Sequence, residues 1–420
     1  MSELLVKNYL ADMGRNAKEA SYELGAASTK EKDDALILMA EELINSKKEI
    51  IKANEIDLEV SKSKGTSKAM LDRLALSDER IKAMADGLKE LVKLQDPIGE
   101  VISMWQRPNG LQIGQKRVPL GVIGIIYEAR PNVTCDAAGL CLKAGNATIL
   151  RGGSEAINSN KAIIKALTKG IERAGLPKAS VQFVEDTSRD VATEMMRLNE
   201  YIDVLIPRGG AGLIQAVLKN ATVPVIETGI GNCHIYVDES CDFEMAKNIA
   251  VNAKVSRPSV CNSAEKLLIN EKVAKDFLPI VIKALRKSGV AVKGDEASQA
   301  IINDIEKANE EDWGKEYLDY VMAVKIVKDI DEAIAHINKY GTRHSEAIIT
   351  ESYKNSQKFL QRVDAAAVYV NASTRFTDGS EFGFGAEIGI STQKLHARGP
   401  MGLKELTAIK YIIYGNGQTR

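Results

Sequence analysis

The sequence has no long hydrophobic run and only five cysteines. No stretch of about 18 apolar residues occurs, so we expect no membrane-spanning helix. The N-terminal segment lacks the basic-then-apolar order of a secretory signal peptide. The cysteines show no C-x-x-C spacing, which argues against a disulfide framework and against a zinc site. We therefore expect free thiols, a cytoplasmic location and no bound metal.

An excess of charge of one sign and several common motifs are also missing. The 56 Lys and Arg residues balance the 57 Asp and Glu residues, and no basic stripe favours nucleic acid as a partner. The G-x-G-x-x-G fingerprint, the P-loop and the H-E-x-x-H zinc motif are all absent. What is present is an ordinary globular composition over 420 residues, which is enough for two or three domains with sizeable cores.

Hydrophobic periodicity predicts helices up to about residue 95 and an α/β pattern afterwards. Residues 97–120 alternate apolar and polar positions around turn residues, which is typical of a β-ribbon. Short apolar runs then alternate with helical stretches, which predicts an α/β fold with mostly parallel sheets. The predicted strands are 121–127, 147–152, 181–184, 203–207 and 223–227 in a first series, and 234–238, 265–269, 290–292, 320–327, 346–350 and 366–371 in a second.

The two series are separated by a glycine-containing break at residues 227–232, where we place a domain boundary. The C-terminal segment predicts a strand without a partner close in sequence. Such a strand must pair either with the ribbon at residues 101–120 or with another subunit.

Two glycine-rich loops follow predicted strands, and each precedes a predicted helix. Glycine allows the backbone to approach a ligand closely, and a helix N-terminus favours an anion. Two such loops on one sheet suit a phosphate-bearing cofactor, although glycines at tight turns would give the same pattern. The candidate cofactor-binding residues in these loops are Arg151, Gly152, Gly153, Ser154, Arg208, Gly209 and Gly210.

Cys261 follows a rigid polar turn that contains Pro258, with Lys254 and Arg257 close by in sequence. Nearby cations lower a thiol pKa, so Cys261 is a candidate nucleophile. A buried structural cysteine is the alternative interpretation. No histidine has the setting of a Cys–His pair, but His396 lies in a polar glycine-rich segment and could contact a substrate.

Several longer segments together resemble the aldehyde dehydrogenase superfamily and, within it, the γ-glutamyl phosphate reductase family. Glu227 follows a predicted strand in "VPVIETGIGN", and Cys261 lies 34 residues later in "SRPSVCN". The segments at 118–156, 368–379 and 382–403 also read as signatures of that reductase family. The resemblance covers essentially the whole chain.

The resemblance implies NADPH-dependent reduction of L-glutamate 5-phosphate, the second step of proline biosynthesis from glutamate, through a thioester on Cys261. It implies two Rossmann-like domains: residues 1–102 with 121–230 for NADPH, and 231–400 for catalysis. Residues 103–120 and 401–420 would form an oligomerisation element, which predicts a homo-oligomer. Some family members carry a glutamate kinase domain, so functional coupling to glutamate 5-kinase is expected.

The resemblance also suggests roles for individual residues. Asn132 would help to hold the oxyanion, and Glu227 would act as a base, bind the substrate amine or serve as a structural carboxylate. Arg151 would favour the 2′-phosphate of NADPH, and Glu316 would contact the nicotinamide ribose. The candidate substrate contacts are Lys254, Arg257, Ser373, Thr374, Arg375 and His396. Two alternatives stay open: an NAD(P)-dependent aldehyde dehydrogenase that hydrolyses its thioester, and a non-catalytic protein of the same fold.

Overall fold

The computed structural model describes residues 3–420, apart from the side chains of residues 3–5, 68 and 69, and it divides into two compact units. Unit 1 comprises the chain up to Glu227 together with residues 383–389 and 401–420. Unit 2 comprises residues 228–382 and 390–400. The first two residues of the expected helical region lie outside the described part of the chain.

Unit 1 begins with five helices, which confirms the helical interpretation of this region. Serine side chains at residues 28, 67 and 77 accept backbone hydrogen bonds at the starts of three of them, as expected for N-caps. None of the helices within residues 3–420 is long and apolar enough to cross a membrane. The helices are α1 (Glu3–Ala26), α2 (Thr29–Asn45), α3 (Lys47–Ser63), α4 (Lys68–Leu74) and α5 (Asp78–Lys93).

An antiparallel ribbon and a four-stranded parallel sheet follow in unit 1. The ribbon consists of β1 (Val101–Gln106) and β2 (Gln112–Pro119). The parallel sheet has the order β5-β4-β3-β6. Its elements along the chain are β3 (Val122–Tyr127), α6 (Pro131–Lys143), β4 (Ala147–Arg151), α7 (Ile157–Arg173), β5 (Val181–Phe183), α8 (Arg189–Met195), β6 (Val204–Arg208) and α9 (Ala211–Asn220).

The predicted strand at 223–227 is wrong. This segment makes only one isolated parallel bridge to β6, between Leu205 and Val225. The carbonyl of Pro224 accepts the Leu205 N–H at 2.8 Å, and Ile226 N–H donates to the Leu205 carbonyl at 2.9 Å. Because Pro224 has no N–H to donate, the pairing does not extend into a regular ladder.

Unit 2 is built on a seven-stranded, wholly parallel sheet with the order β10-β9-β11-β8-β7-β12-β13. All six strands predicted in this part are confirmed, whereas the two-residue β10 was not predicted. The elements are β7 (Cys233–Val237), α10 (Phe243–Val255), β8 (Ala264–Asn270), α11 (Glu271–Lys287), β9 (Ala291–Gly294), α12 (Glu296–Ile301), β10 (Glu306–Lys307), α13 (Glu310–Gly314), β11 (Val321–Val327), α14 (Ile330–Tyr340), β12 (Ser345–Ile349), α15 (Tyr353–Arg362), β13 (Ala367–Val370), β14 (Ile390–Ser391) and β15 (Gly399–Pro400).

The C-terminal strand, β16 (Thr407–Tyr414), returns to unit 1 and pairs antiparallel with β2 along its whole length. Thr407 lies opposite Pro119, and Tyr414 lies opposite Gln112. Of the two partners considered from the sequence, the ribbon is therefore the one that β16 uses within the chain.

Candidate active site

Cys261 lies in the loop between α10 and β8, at the amino ends of the parallel strands of unit 2. The residue is half-buried, and a turn follows it in which Ser263 N–H donates to the Val260 carbonyl at 3.1 Å. Ligands of parallel α/β sheets usually bind at the carboxyl ends of the strands. Cys261 is at the opposite edge, because the loop that carries it leads from a helix into a strand.

The main chain of Cys261 packs closely against the segment that enters β7. A side chain on Gly231 would overlap the Cys261 carbonyl group, so only glycine fits there. The thiol of Cys233 lies 3.1 Å from the Cys261 carbonyl oxygen. Glu316 Oε1 accepts the Gly231 N–H at 2.7 Å, and burial raises the pKa of the Glu316 carboxyl. The structure therefore joins Glu316 to the nucleophile loop through Gly231.

Asn262 fixes the loop after β13 beside Cys261. Its side-chain amide donates to the carbonyl oxygens of Arg375 at 3.2 Å and of Thr377 at 3.0 Å. The Thr374 hydroxyl donates to the Asn262 carbonyl at 2.7 Å. The Ser373 hydroxyl accepts the Arg375 N–H at 3.3 Å, so it serves the loop's own backbone. Three predicted substrate contacts, at positions 373–375, thus lie next to the predicted nucleophile.

Arg375 has a fixed guanidinium and lies close to a second cation. It donates from Nε to Ser256 Oγ at 3.0 Å and from Nη1 to the Asn262 side-chain oxygen. Burial lowers the pKa of Arg375, and the positive charge of Arg257 lowers it further. A negative charge on Cys261 has the opposite effect on this pKa. The pair of arginines therefore favours an anion next to Cys261.

Lys254 is not available to a substrate, which corrects the expectation from the sequence. Its side chain is 0% exposed, and its ammonium lies 2.9 Å from a carboxylate oxygen of Glu265, which is also 0% exposed. A buried ammonium needs such a partner because isolated charges are costly inside a protein. Lys254 is therefore part of a buried ion pair behind the nucleophile loop.

His396 is exposed and has a left-handed backbone, with φ of 70°. Its neighbours Lys394 and Arg398 pair with Asp364 at 2.9 and 2.7 Å. The predicted contact between His396 and a substrate stays a prediction.

The predicted cofactor residues of unit 1 lie at the carboxyl edge of its parallel sheet, because Arg151 ends β4 and Arg208 ends β6. Arg151 Nη2 donates to the carbonyl oxygens of Thr187 at 2.6 Å and Ser188 at 3.4 Å. Its Nε is buried without a hydrogen-bond partner among the described residues, and burial lowers the pKa of the guanidinium. This edge contains the topological switch point where such sheets bind nucleotides.

The amino end of α7 already holds an anion, which contradicts the expected phosphate position after Gly153. The Asp57 carboxylate accepts the Ser159 N–H and hydroxyl at 2.8 and 2.6 Å, and the Asn158 N–H at 3.2 Å. Gly152 is required for packing, because a side chain there would overlap the Asn160 amide. Ser154 begins a short 3₁₀ turn before α7. Asp57 therefore joins α3 to the start of α7, whereas Ser154 is exposed, and cofactor contacts of Gly152, Gly153 and Ser154 stay predictions.

The amino end of α9 is more open. Residues 209–212 are exposed, and a side chain at Gly212 would meet no atom within 4 Å. The Glu128 carboxylate accepts the Gly210 N–H at 3.0 Å, and a side chain on Gly209 would lie 2.7 Å from the Glu128 carboxyl carbon. Of the two glycine loops, the one before α9 is therefore the accessible one.

The two other predicted catalytic residues belong to unit 1. Asn132 is exposed in the first turn of α6, and its amide donates to the Asp136 carboxylate at 3.1 Å. Burial raises the pKa of Asp136 to about 6. Glu227 is half-buried and ends the first segment of unit 1. Their catalytic roles stay predictions.

Sequence reasoning missed four residues that shape these sites: Asp57, Glu128, Cys233 and Asn262. Glu128 directly follows β3, and Asn262 directly follows Cys261, so position alone could have identified both. Asp57 gave no local signal, because its hydrogen-bond partners are more than 100 residues away along the chain.

Known proteins match this chain over its whole length. The aldehyde dehydrogenase family model matches residues 7–313 and 307–412. The γ-glutamyl phosphate reductases of Clostridium beijerinckii and Clostridium botulinum are 84% and 71% identical over 420 residues, with both chains fully covered in each comparison. The crystal structure of the γ-glutamyl phosphate reductase of Thermotoga maritima has a TM-score of 0.96 and 53% identity, covering 98% of this chain and 99% of that chain. The chain therefore belongs to the aldehyde dehydrogenase family and, within it, to the γ-glutamyl phosphate reductases.

Proposed function

We propose that the protein reduces L-glutamate 5-phosphate to L-glutamate 5-semialdehyde and phosphate, with NADPH as the reductant. The full-length identity of 84% to a γ-glutamyl phosphate reductase supports this assignment. The structural observation that carries it is the position of half-buried Cys261, whose main chain is held by neighbouring residues and whose loop lies beside Arg375.

In the proposed reaction the Cys261 thiolate attacks the acyl carbon of the substrate. The bond from that carbon to the phosphate oxygen breaks, phosphate leaves with the electron pair, and a thioester remains on Cys261. A bound nicotinamide cofactor in its reduced form supplies the hydride that the thioester carbon accepts. The oxyanion then collapses, the carbon–sulfur bond breaks, and the thiolate returns as the aldehyde leaves.

Arg257 and Arg375 are proposed to hold the negative charge of the substrate. Arg375 is oriented by Ser256 and Asn262, so its guanidinium is fixed before the substrate arrives. A guanidinium pairs with phosphate or carboxylate through two parallel hydrogen bonds. The two arginines would therefore stabilise the departing phosphate or the α-carboxylate, and would favour thiolate at Cys261.

A preorganised donor must also meet the oxyanion. We assign this role to the Cys261 backbone N–H. Cys233 and Gly231 hold the carbonyl group of the same residue, which fixes this part of the main chain. The second donor that the resemblance assigns, Asn132, is bound to Asp136 in this structure.

Membership of the family implies a nicotinamide cofactor, and the carboxyl edge of the unit 1 sheet fits one. The exposed first turn of α9 leaves room for a phosphate group near Gly212, beside the Gly210 N–H that the Glu128 carboxylate accepts. We propose NADP rather than NAD because Arg151 has a buried Nε without a protein partner. An arginine at this edge suits a 2′-phosphate. Glu316 is bound to Gly231 through one carboxylate oxygen, and its contact with the nicotinamide ribose is part of the same proposal.

The assignment is tested in the reverse direction, by measuring NADP reduction with glutamate 5-semialdehyde at increasing phosphate concentrations. The reductase mechanism needs phosphate to cleave the thioester, so we expect no turnover without it. Cys261→Ala is expected to abolish turnover and to leave NADPH binding intact. Cys241→Ala is the matched control, because Cys241 is also a half-buried thiol of unit 2 but lies beyond the other end of β7.

An equal rate in phosphate-free buffer would contradict the proposal and would favour an aldehyde dehydrogenase that hydrolyses its thioester. Wild-type turnover in Cys261→Ala would remove the nucleophile from the mechanism. The reaction needs Cys261 in its reduced form, and no disulfide joins any of the five cysteines in the described chain, so we propose a reducing compartment such as the cytoplasm. A glutamate 5-kinase would supply the acyl phosphate.

We also propose that a second copy of the chain covers the β1-β2-β16 sheet. The outer edge of β16 has no strand partner within the described chain. Exposed edges of this kind pair readily with another chain. Exposed apolar side chains cover the sheet, namely Val101, Ile102, Met104, Trp105, Ile409, Tyr411, Ile413 and Tyr414.

A further inference from the structure

A second cysteine contacts the main chain of the proposed nucleophile. Cys233 is the first residue of β7 and is completely buried. Its thiol donates to the carbonyl oxygen of Cys261 at 3.1 Å, and its sulfur lies 3.8 Å from His344 Nδ1. Nothing in the proposed chemistry requires this thiol to react.

The contact belongs to a ring of polar contacts next to the nucleophile loop. His344 Nδ1 is hydrogen-bonded to Ser345 Oγ at 2.8 Å, and Ser345 Oγ to Thr377 Oγ1 at 2.6 Å. The Tyr369 hydroxyl joins at Thr377 Oγ1, at 2.7 Å. The Thr377 carbonyl accepts the Asn262 amide at 3.0 Å, which returns the ring to the residue after Cys261.

Burial keeps the groups next to the nucleophile neutral. It raises the pKa of the Cys233 thiol well above its usual value, and it lowers the pKa of His344 to about 4. Cys233 therefore keeps its S–H proton at neutral pH and remains a donor. A thiolate at this position would instead repel the Cys261 carbonyl oxygen.

We propose that Cys233 is a positioning residue, whose S–H group holds the Cys261 carbonyl so that the backbone N–H and the reactive thiol of Cys261 face the substrate. Gly231 lies against the same carbonyl, since any side chain there would overlap it. The ring through His344, Ser345 and Thr377 holds the side chains of Cys233 and Asn262 in fixed positions relative to each other. Small displacements of a reacting group reduce rates strongly, so such a clamp contributes to catalysis without contacting the substrate.

This inference rests on the proposed function, in which Cys261 is the nucleophile. The test compares Cys233→Ala, which removes the donor, with Cys233→Ser, whose hydroxyl can still donate. Turnover with phosphate and semialdehyde gives kcat and KM, and alkylation of Cys261 by iodoacetamide, resolved by mass spectrometry, gives the reactivity of the thiol. Cys241→Ala is the matched control and should match wild type in both measurements.

For Cys233→Ala we expect kcat to fall about two- to tenfold, the range for one ordinary hydrogen bond, with KM within about twofold of wild type. Alkylation of Cys261 should not slow down, because a loosened loop exposes the thiol to a small reagent. Cys233→Ser should recover most of the lost kcat. If Cys233→Ala does not fold, Ser345→Ala removes another hydrogen bond of the ring. It should show the same combination of a lower kcat with little change in KM and no slower alkylation.

An unchanged kcat in the alanine variant would overturn the proposal. Alkylation that slows in parallel with kcat would also overturn it, since Cys233 would then act on the ionisation of Cys261. Equal losses in the serine and alanine variants would exclude the hydrogen bond as the cause. If the wild-type protein shows no phosphate-dependent turnover, the proposed function fails by itself. In that case, slower alkylation of Cys261 in Cys233→Ala would still overturn the positioning role.

Discussion

Gly231 lies against the carbonyl group of Cys261 so closely that any side chain at position 231 would overlap the carbonyl carbon and oxygen. The backbone of the nucleophile loop therefore rests on the backbone that enters β7. Glu316 also fixes Gly231 by accepting its N–H at 2.7 Å.

Gly231→Ala is expected to displace the nucleophile loop. The added methyl group cannot be accommodated without a backbone shift, which typically costs about 1–3 kcal/mol in a packed site. We expect kcat to fall at least about 100-fold, as a misplacement of about 1 Å commonly produces. Gly314→Ala is the control, because a side chain there would meet no atom within 4 Å. Steady-state kinetics showing wild-type turnover in Gly231→Ala would contradict the contact.

Arg151→Ala is expected to reduce the preference for NADPH over NADH. Losing hydrogen bonds to a charged phosphate costs about 1.5–3 kcal/mol, so we expect about a 10- to 150-fold weaker NADPH affinity with little change for NADH. Binding is measured by quenching of protein fluorescence. Arg189→Ala, on the exposed start of α8, should leave both affinities unchanged. An equal loss for both cofactors would show that Arg151 supports the fold instead.

Asp57→Ala is expected to destabilise unit 1 without weakening cofactor binding. The carboxylate accepts hydrogen bonds at the start of α7, so its removal should lower the free energy of unfolding by about 1–3 kcal/mol. Denaturant unfolding measures this change, with Glu59→Ala on the exposed face of α3 as the control. If NADPH affinity changed more than stability, the α7 terminus would have to be reconsidered as a phosphate site.

His336 should make the protein less stable in acid. Burial lowers the pKa of His336 to about 3, so the folded protein keeps it neutral where the unfolded chain protonates. The unfolded state therefore binds more protons below about pH 6.5. As the pH falls towards 3, this residue lowers the free energy of unfolding by about 1.4 kcal/mol per pH unit. His336→Phe should reduce the slope in denaturant unfolding between pH 7 and 5 by this amount, while buried His344 keeps its own contribution. Exposed His396→Asn should retain the slope, and an identical slope in His336→Phe would contradict the buried neutral histidine.

Ile413→Lys is expected to dissociate the proposed oligomer. Ile413 is 60% exposed on β16, and a charge there would be buried by a second copy. Light scattering should then give the monomer mass for the variant. Tyr353→Lys places the same charge on another exposed apolar position, on α15, and should leave the mass unchanged. A monomeric wild-type protein would refute the oligomer itself.

The fold class followed from local patterns and from the resemblance, and the comparisons confirm it. Helical periodicity before residue 95 and ten of eleven predicted strands correspond to observed elements, because both patterns reflect burial of one face or of a whole strand. The strand at 223–227 failed because Pro224 interrupts a pairing that its apolar neighbours suggest. The two-residue β10 is too short to leave a pattern.

The candidate site also has a part that the sequence predicts and a part that only the tertiary structure shows. The sequence by itself determined which residues can react or carry charge, such as Cys261, Arg375 and Arg151, because chemistry belongs to side-chain types and motifs are local. Only the tertiary structure decided what each residue meets. It paired Lys254 with Glu265, filled the α7 terminus with Asp57, and placed Gly231 and Cys233 against the Cys261 carbonyl. These partners are 11 to 102 residues apart, and their contacts depend on how strands and helices pack, which no local pattern records.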